Sequence, residues 1–219
     1  LHKDAKNKSR EVMHSQQERI YQLYDGIVII LTKINTCHNS NDGKFCSGSG
    51  GKQSSNFRAV AYSELEDYVD DVWGGDKLQP EEKVAVKKYT GGDYIQINEA
   101  LRSGEPPDMP VKENINKLDN ATQAWKAPRD MIVYRDAKVD RYSGDVGAII
   151  KDHGFVSTSV YAGYNESKRF TILIPKGASV LPIGRESQHR TEGEILLPRG
   201  SRFRIEGSKT LRALLPGEE

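Results

Sequence analysis

Between Ser9 and Ile34 the apolar residues Met13, Ile20, Leu23, Ile27, Ile30 and Ile34 recur at helical intervals, which predicts an amphipathic helix. Gly26 interrupts that spacing, and the β-branched run Ile27-Val28-Ile29-Ile30 also fits a strand. Periodicity then stops. Residues 35–55 are rich in Asn, Ser, Gly and Lys, the composition of a linker. Four helices are expected next. Ser63-Glu64-Leu65-Glu66 has the form of a capping box ahead of the apolar face Tyr68, Val69, Val72 and Trp73, with a stop at Gly74-Gly75. Pro80-Glu81-Glu82 suits the first turn of a second helix, closed by Gly91-Gly92. Asp93 is placed to cap a third that reaches Arg102, and Pro110 opens a fourth that ends near Trp125.

After Pro128 the period shortens. Met131 to Tyr134, Phe155 to Ser159, Phe170 to Ile174, Ile195 to Leu197, Phe203 to Ile205 and Leu211 to Leu215 read as short strands. Helices followed by strands predict an α+β domain rather than repeated βαβ units. The expected organisation is an N-terminal helical segment over 1–34, a linker over 35–56 and a main domain over 57–219.

Composition narrows the function. The chain has 219 residues, 36% of them hydrophobic, enough for a real core. Its 32 basic and 31 acidic side chains leave a formal charge of +1, so no global attraction to nucleic acid or to an anionic membrane is expected. The run Ile27 to Leu31 is far shorter than the roughly 20 apolar residues of a membrane span. Cys37, His38 and Cys46 do not amount to four ligands at zinc spacing, and no metal site is expected. Neither G-x-G-x-x-G nor G-x-x-x-x-G-K-[ST] occurs, so a dinucleotide would need another architecture.

Three features of the β half carry candidate chemistry: Tyr134-Arg135, then Gly154-Phe155-Val156-Ser157-Thr158-Ser159, then Thr191-Glu192-Gly193-Glu194-Ile195-Leu196-Leu197. Side chains two apart on a strand share a face, so Glu192 and Glu194 at a strand's start would both address one reacting centre. Paired carboxylates suit glycosidic chemistry, in which one acid stabilises an oxocarbenium-like carbon and the other handles the nucleophile's proton. Each feature taken singly also fits a solvated strand edge or surface acids.

In this order the three features resemble the mono-ADP-ribosyltransferases of the Arg, Ser-Thr-Ser, Glu-x-Glu type, which include bacterial binary toxins and phage-encoded enzymes. The similarity covers about residues 57 to 215. It includes Leu78-Gln79-Pro80-Glu81-Glu82-Lys83, Tyr89-Thr90-Gly91, Ile97-Asn98, Ala100-Leu101-Arg102, Ile174-Pro175-Lys176-Gly177 and Leu196-Leu197-Pro198-Arg199-Gly200-Ser201-Arg202-Phe203. The resemblance implies two facing β-sheets flanked by helices, with NAD as substrate in the cleft between them. It implies that Arg135 binds a phosphate or ribose of NAD and that Ser157 holds Glu194 and the nicotinamide-side ribose. Thr158 and Ser159 then support the strand, and Glu194 is the main catalytic acid. Glu192 would activate the acceptor; relatives acting on asparagine or a nucleobase typically have Gln there, so Glu implies a protein arginine acceptor.

Tyr89, Tyr94 and Asn98 resemble helical residues that lie over NAD, although a helix-packing role fits them equally. Tyr161 and Tyr164 would supply an aromatic contact near nicotinamide. The loop from Arg185 to Thr191 would form the rim that reads the target, its two arginines and His189 attracting an acidic surface. Where several binary toxins carry a second Arg after the strand Arg, this chain has Asp136, so that phosphate contact is not expected. The segment from Val160 to Lys168 is short beside some toxins. The expected setting is a secreted or injected effector acting in a target cell's cytoplasm. Cys37 to Cys46 also resembles a segment of some phage head-morphogenesis proteins, which raises a phage-associated, non-enzymatic module as an alternative. NAD glycohydrolysis is the second enzymatic alternative. The oligomeric state is left open.

Overall fold

The computed structural model describes residues 57–137, 139–162 and 168–219, with only the backbone of 139 and 140. The helix expected over 9–34, the linker, both cysteines and Tyr164 lie outside the described residues. Within them the order is β1 (Arg58–Ala59), α1 (Tyr62–Trp73), α2 (Pro80–Lys88), a π turn (Tyr89–Asp93), α3 (Tyr94–Ser103) and α4 (Met109–Gln123). There follow β2 (Met131–Asp136), β3 (Ile149–Lys151), β4 (Val156–Ser159), β5 (Arg169–Ile174), β6 (Leu181–Pro182), β7 (Glu194–Leu197), β8 (Arg202–Gly207) and β9 (Thr210–Ala213). The expected α+β order holds. No described helix is long and apolar enough to cross a membrane.

Helix α1 forms on the apolar spacing Leu65, Val69, Val72 and Trp73, all buried. Ser63 does not cap it; the cap position is Ala61, whose side chain makes no cap bond. The two acids of that motif serve tertiary ties instead, Glu64 with Arg129 and Glu66 with Arg185. The capping-box contact occurs at α2, where the Gln79 backbone N–H donates to Glu82 at 2.8 Å. Asp93 likewise makes no side-chain cap, because the chain passes from α2 into α3 through the π turn, with Gly92 at φ 131°. Asp108 caps α4 by accepting from Val111 N at 3.0 Å.

The strands form one nine-stranded sheet in the order β3-β8-β9-β5-β2-β4-β7-β6, with β1 also paired to β2. This corrects the expectation of two facing sheets. All six residues of β2 pair with β5 along one edge. On its other edge β1 pairs with Met131 and Ile132, while Tyr134 pairs with Ser159 of β4. That single register pair joins β4, β7 and β6 to the remainder. Met131 to Tyr134 are all buried, so both faces of the strand are covered there. Phe155, Phe170, Phe203, Ile172, Ile174 and Ile195 are among the buried core residues packed with those of the helices.

The β4–β2 junction is the foundation of the site. It brings residues near positions 135, 157 and 194 onto adjacent strands although they are widely separated in sequence.

Candidate active site

Strands β4 and β7 pair antiparallel, with Ser157 opposite Leu196 and Ser159 opposite Glu194. Directly opposite residues share a face, and so do residues two apart, which puts Ser157, Ser159 and Glu194 on one face of the sheet. Thr158 faces the other way and donates its hydroxyl to Ile195 O at 2.6 Å. Its role is to lock the two strands together. Arg135, near the end of β2, reaches the same strand by donating from Nη1 to Ser157 O. Its Nε is buried and has no hydrogen-bond partner among the described residues. An orphaned buried guanidinium donor is costly, and an anionic or hydroxyl oxygen would satisfy it.

The two glutamates are not equivalent. Strand β7 begins at Glu194, which is only 6% exposed, whereas Glu192 lies before the strand and is exposed. Gly193 between them has φ 55°, so strand alternation does not run through it and the two acids are not successive positions on one strand face. A Cβ at Gly193 would sit 2.7 Å from Val160 and 2.9 Å from the Tyr161 ring, a second reason for glycine. Tyr161 in turn stacks on Tyr62 with centroids 5.8 Å apart.

A chain of polar contacts leads towards Glu194. Asn98 Nδ2 donates to Tyr89 Oη at 3.0 Å, and the Tyr89 hydroxyl lies 3.4 Å from Ser157 Oγ. Ser157 faces Glu194 and favours its charged form, and Ser187 Oγ donates to Glu194 Oε2 at 3.3 Å. Because Tyr89 accepts from an amide, its own proton is available to Ser157, whose proton is available to the carboxylate. Burial holds the Tyr89 phenol above its ordinary pKa, so the proton stays in place. Burial also raises the Glu194 carboxyl above the ordinary glutamate range. The Glu192 charge adds to this, while Ser157, Ser187 and His189 oppose it.

Helix α3 fixes this relay through residues four apart. Asn98 Oδ1 accepts from Phe155 N at 2.8 Å, and Arg102 pairs with Asp152 at 2.9 Å. Asp152 also accepts from Tyr142 Oη at 2.7 Å and from Gly154 N at 2.9 Å. A Cβ at Gly154 would come within 2.6 Å of Asn98 Oδ1 and 2.7 Å of Arg102 Cζ, so glycine permits the close approach of α3. Asp152, Tyr142 and Ser187 escaped the sequence reading. Arg102 carried a usable signal, because it follows Tyr94 and Asn98 at helical intervals.

The structure thus brings together Arg135, Ser157, Ser159, Glu194, Tyr89 and Asn98, with Glu192 alongside. Tyr94 is exposed and meets Tyr89 in a T-shaped arrangement at a centroid distance of 6.2 Å. Arg185 does not belong to a free rim: it bonds Glu66 at 2.6 Å and also Asp70, both on α1. His189 and Arg190 are exposed. Among the described residues no group of His, Cys, Asp and Glu is suited to hold a metal ion.

Residues 71–213 match the family model described as ADP-ribosyltransferase exoenzyme, a span of more than half the chain. The chain belongs to this family. ADP-ribosyltransferases of this kind use NAD and include toxins. A curated relative, the NAD(+)--arginine ADP-ribosyltransferase EFV of Enterococcus faecalis, is 31% identical over 159 residues. That match takes in 66% of this chain but 32% of the relative, so the chain spans about a third of that protein's length. The fold is similar to that of the ADP-ribosyltransferase toxin Plx2a from Paenibacillus larvae, with a TM-score of 0.60 and 20% identity over 70% of this chain and 96% of the toxin. The C3 exoenzyme of Clostridium limosum also gives 0.60 and 20%, covering 74% and 98%. The S. aureus protein C3stau2, solved with NAD, gives 0.56 and 19%, covering 70% and 95%. Strands β2 to β9 and helices α2 to α4 fall inside the family match, whereas β1 and all of α1 but its last three residues precede it.

Proposed function

We propose that this member of the family transfers a single ADP-ribose from NAD to arginine side chains of proteins. The observation that carries the proposal is the unequal pair of acids, Glu194 buried on β7 and Glu192 exposed beside it. The name of the 31% identical relative supports the same acceptor.

The bond that breaks joins nicotinamide N1 to ribose C1′, and its electron pair leaves with nicotinamide, neutralising the pyridinium charge. Positive charge develops on the ribose. Glu194, oriented by Ser157 and Ser187, stabilises it through the ribose hydroxyls where it arises. Arg135, through its unpartnered Nε, takes a phosphate or ribose oxygen of NAD. Tyr89 and Asn98 hold Ser157 in register, and Ser159 donates to Glu192 O at 2.6 Å, steadying the acceptor side. The incoming guanidinium is protonated in water, its pKa above about 12, and Glu192 takes its proton as the guanidine nitrogen bonds to C1′. Tyr94, exposed at the α3 end, and Tyr164 are proposed as further contacts of NAD.

The exposed Glu192 also leaves a route for water, so NAD glycohydrolysis is the second reading, as a side reaction of the same cation. The partner is a protein with an accessible arginine. His189 and Arg190 would favour an acidic surface around it, and the family's exoenzyme character supports delivery outside the producing cell. The catalytic unit is assigned to residues 57–219, preceded by a linker over 35–56 and a segment over 1–34.

Incubation of the chain with labelled NAD and a cell lysate, followed by mass-spectrometric mapping, is expected to locate ADP-ribose on arginine. Label on another residue type would overturn the acceptor assignment, and undiminished labelling by Glu194→Gln would overturn the site.

A further inference from the structure

The π turn between α2 and α3 faces two ways. Tyr89 sends its hydroxyl to Ser157, towards the buried acid. The next residue, Thr90, is buried, and its hydroxyl accepts from the backbone N–H of Gln188 at 3.2 Å while donating to Lys87 O at 3.1 Å. The Gln188 side chain completes the seat. Its Nε2 donates to Lys87 O at 3.2 Å, and its amide lies over Gly91 so closely that a Cβ there would be 2.5 Å from Nε2. Lys87 also pairs with Glu186 at 3.3 Å. One turn therefore grips both the serine beneath Glu194 and the loop that leads to Glu192.

From Gln188 the chain reaches Glu192 in one tight turn. Glu192 N donates to His189 O at 3.0 Å, His189 N donates to Ser187 Oγ at 3.1 Å, and Ser159 holds Glu192 O. We propose that Gln188, seated on Thr90 and Gly91, is a positioning residue that sets Glu192 for the acceptor guanidinium and so decides how the cation is shared between arginine and water. The inference rests on the transferase reading above. The proposed role of Gln188 runs through Glu192, with its amide held on Lys87 O. Its effect is orientational: a carboxylate out of place takes the acceptor's proton less often, while water needs no such alignment.

The test compares the full chain with its Gln188→Ala and Gly91→Ala variants, using labelled NAD and a lysate. The readout is protein-bound ADP-ribose per nicotinamide released. Loss of the seat is expected to lower that ratio about three- to tenfold, the range for a hydrogen-bonded contact of this kind. Nicotinamide release without acceptor and the KM for NAD should stay within about twofold, as for a surface substitution remote from the chemistry. Gly91→Ala provides the independent check, since its Cβ would displace the Gln188 amide without removing it. An unchanged ratio in both variants overturns the proposal, and so does a parallel loss of nicotinamide release, which would mark a merely structural role. Label found on a residue other than arginine would defeat the arginine reading, yet the ratio would still judge Gln188. A wild-type chain that releases no nicotinamide would overturn both.

Discussion

In the proposed mechanism Glu194 carries opposite demands for catalysis and for stability. Burial raises its pKa, so the ionised form needed to stabilise an oxocarbenium-like ribose accumulates only as pH climbs through that raised value. The acid limb of NAD turnover should therefore lie above the ordinary glutamate range of about 4.3. Stability has the reverse sign. An acid whose pKa is higher in the folded state contributes stability that is complete below its unfolded pKa and lost as pH rises through the folded one. At neutral pH the Glu194→Gln protein should thus melt at a higher temperature than the wild type while turning over NAD about a hundred- to a thousandfold more slowly. Thermal unfolding and a nicotinamide-release assay check the two halves. Glu192→Gln is a different experiment, because that residue is exposed. It should lower protein labelling by about a hundredfold or more, the range for a positioned acid or base, and leave nicotinamide release largely intact. Equal loss of both would refute the division of labour.

At the scale of elements, the strands of the site are braced where α3 meets the turn from β3 to β4. Burial disfavours the Asp152 charge, but hydrogen bonds from Arg102, Tyr142 and Gly154 outweigh it and hold its carboxyl below the ordinary aspartate range. Replacing Asp152 with Asn leaves Arg102 without its buried counter-charge, for which about 3–5 kcal/mol of destabilisation is typical. A depressed pKa means that the stabilisation is present above the unfolded value of about 3.9 and lost as pH falls through the lower native one. Urea unfolding of wild type and Asp152→Asn should accordingly differ at neutral pH and converge in acid. Gly154 and Gly193 let elements approach closely at two points of the site. Each admits a close contact, of α3 in one case and of Val160 with Tyr161 in the other, that a side chain would prevent.

For the whole molecule, residues 55–219 form one compact unit. A chain shortened to that span is expected to unfold in a single cooperative transition and to keep NAD turnover, measured by nicotinamide release; loss of both would assign the preceding segment a part in the fold. Within this unit, local pattern already determined a good deal. Apolar spacing marked α1, and turn residues bounded α2, because both signals arise between near neighbours in sequence. The ordered appearance of Arg135, Ser157 and Glu194 marked a candidate site for the same reason: each residue type was visible where it stood. Strands β1 and β6 hold two residues each and β3 three, too few for alternation to register. Whether the strands made one sheet or two depended on a single distant pair, Tyr134 with Ser159, and no local signal reports such a register. Tertiary structure likewise decided that Arg185 is tied to α1, that Asp152 anchors α3, and that Gly193 turns left-handed so that one glutamate is buried and the other meets solvent. The sequence alone named the two acids. Only the fold made them different, because burial and hydrogen bonding are properties of neighbours that the chain brings together from far apart.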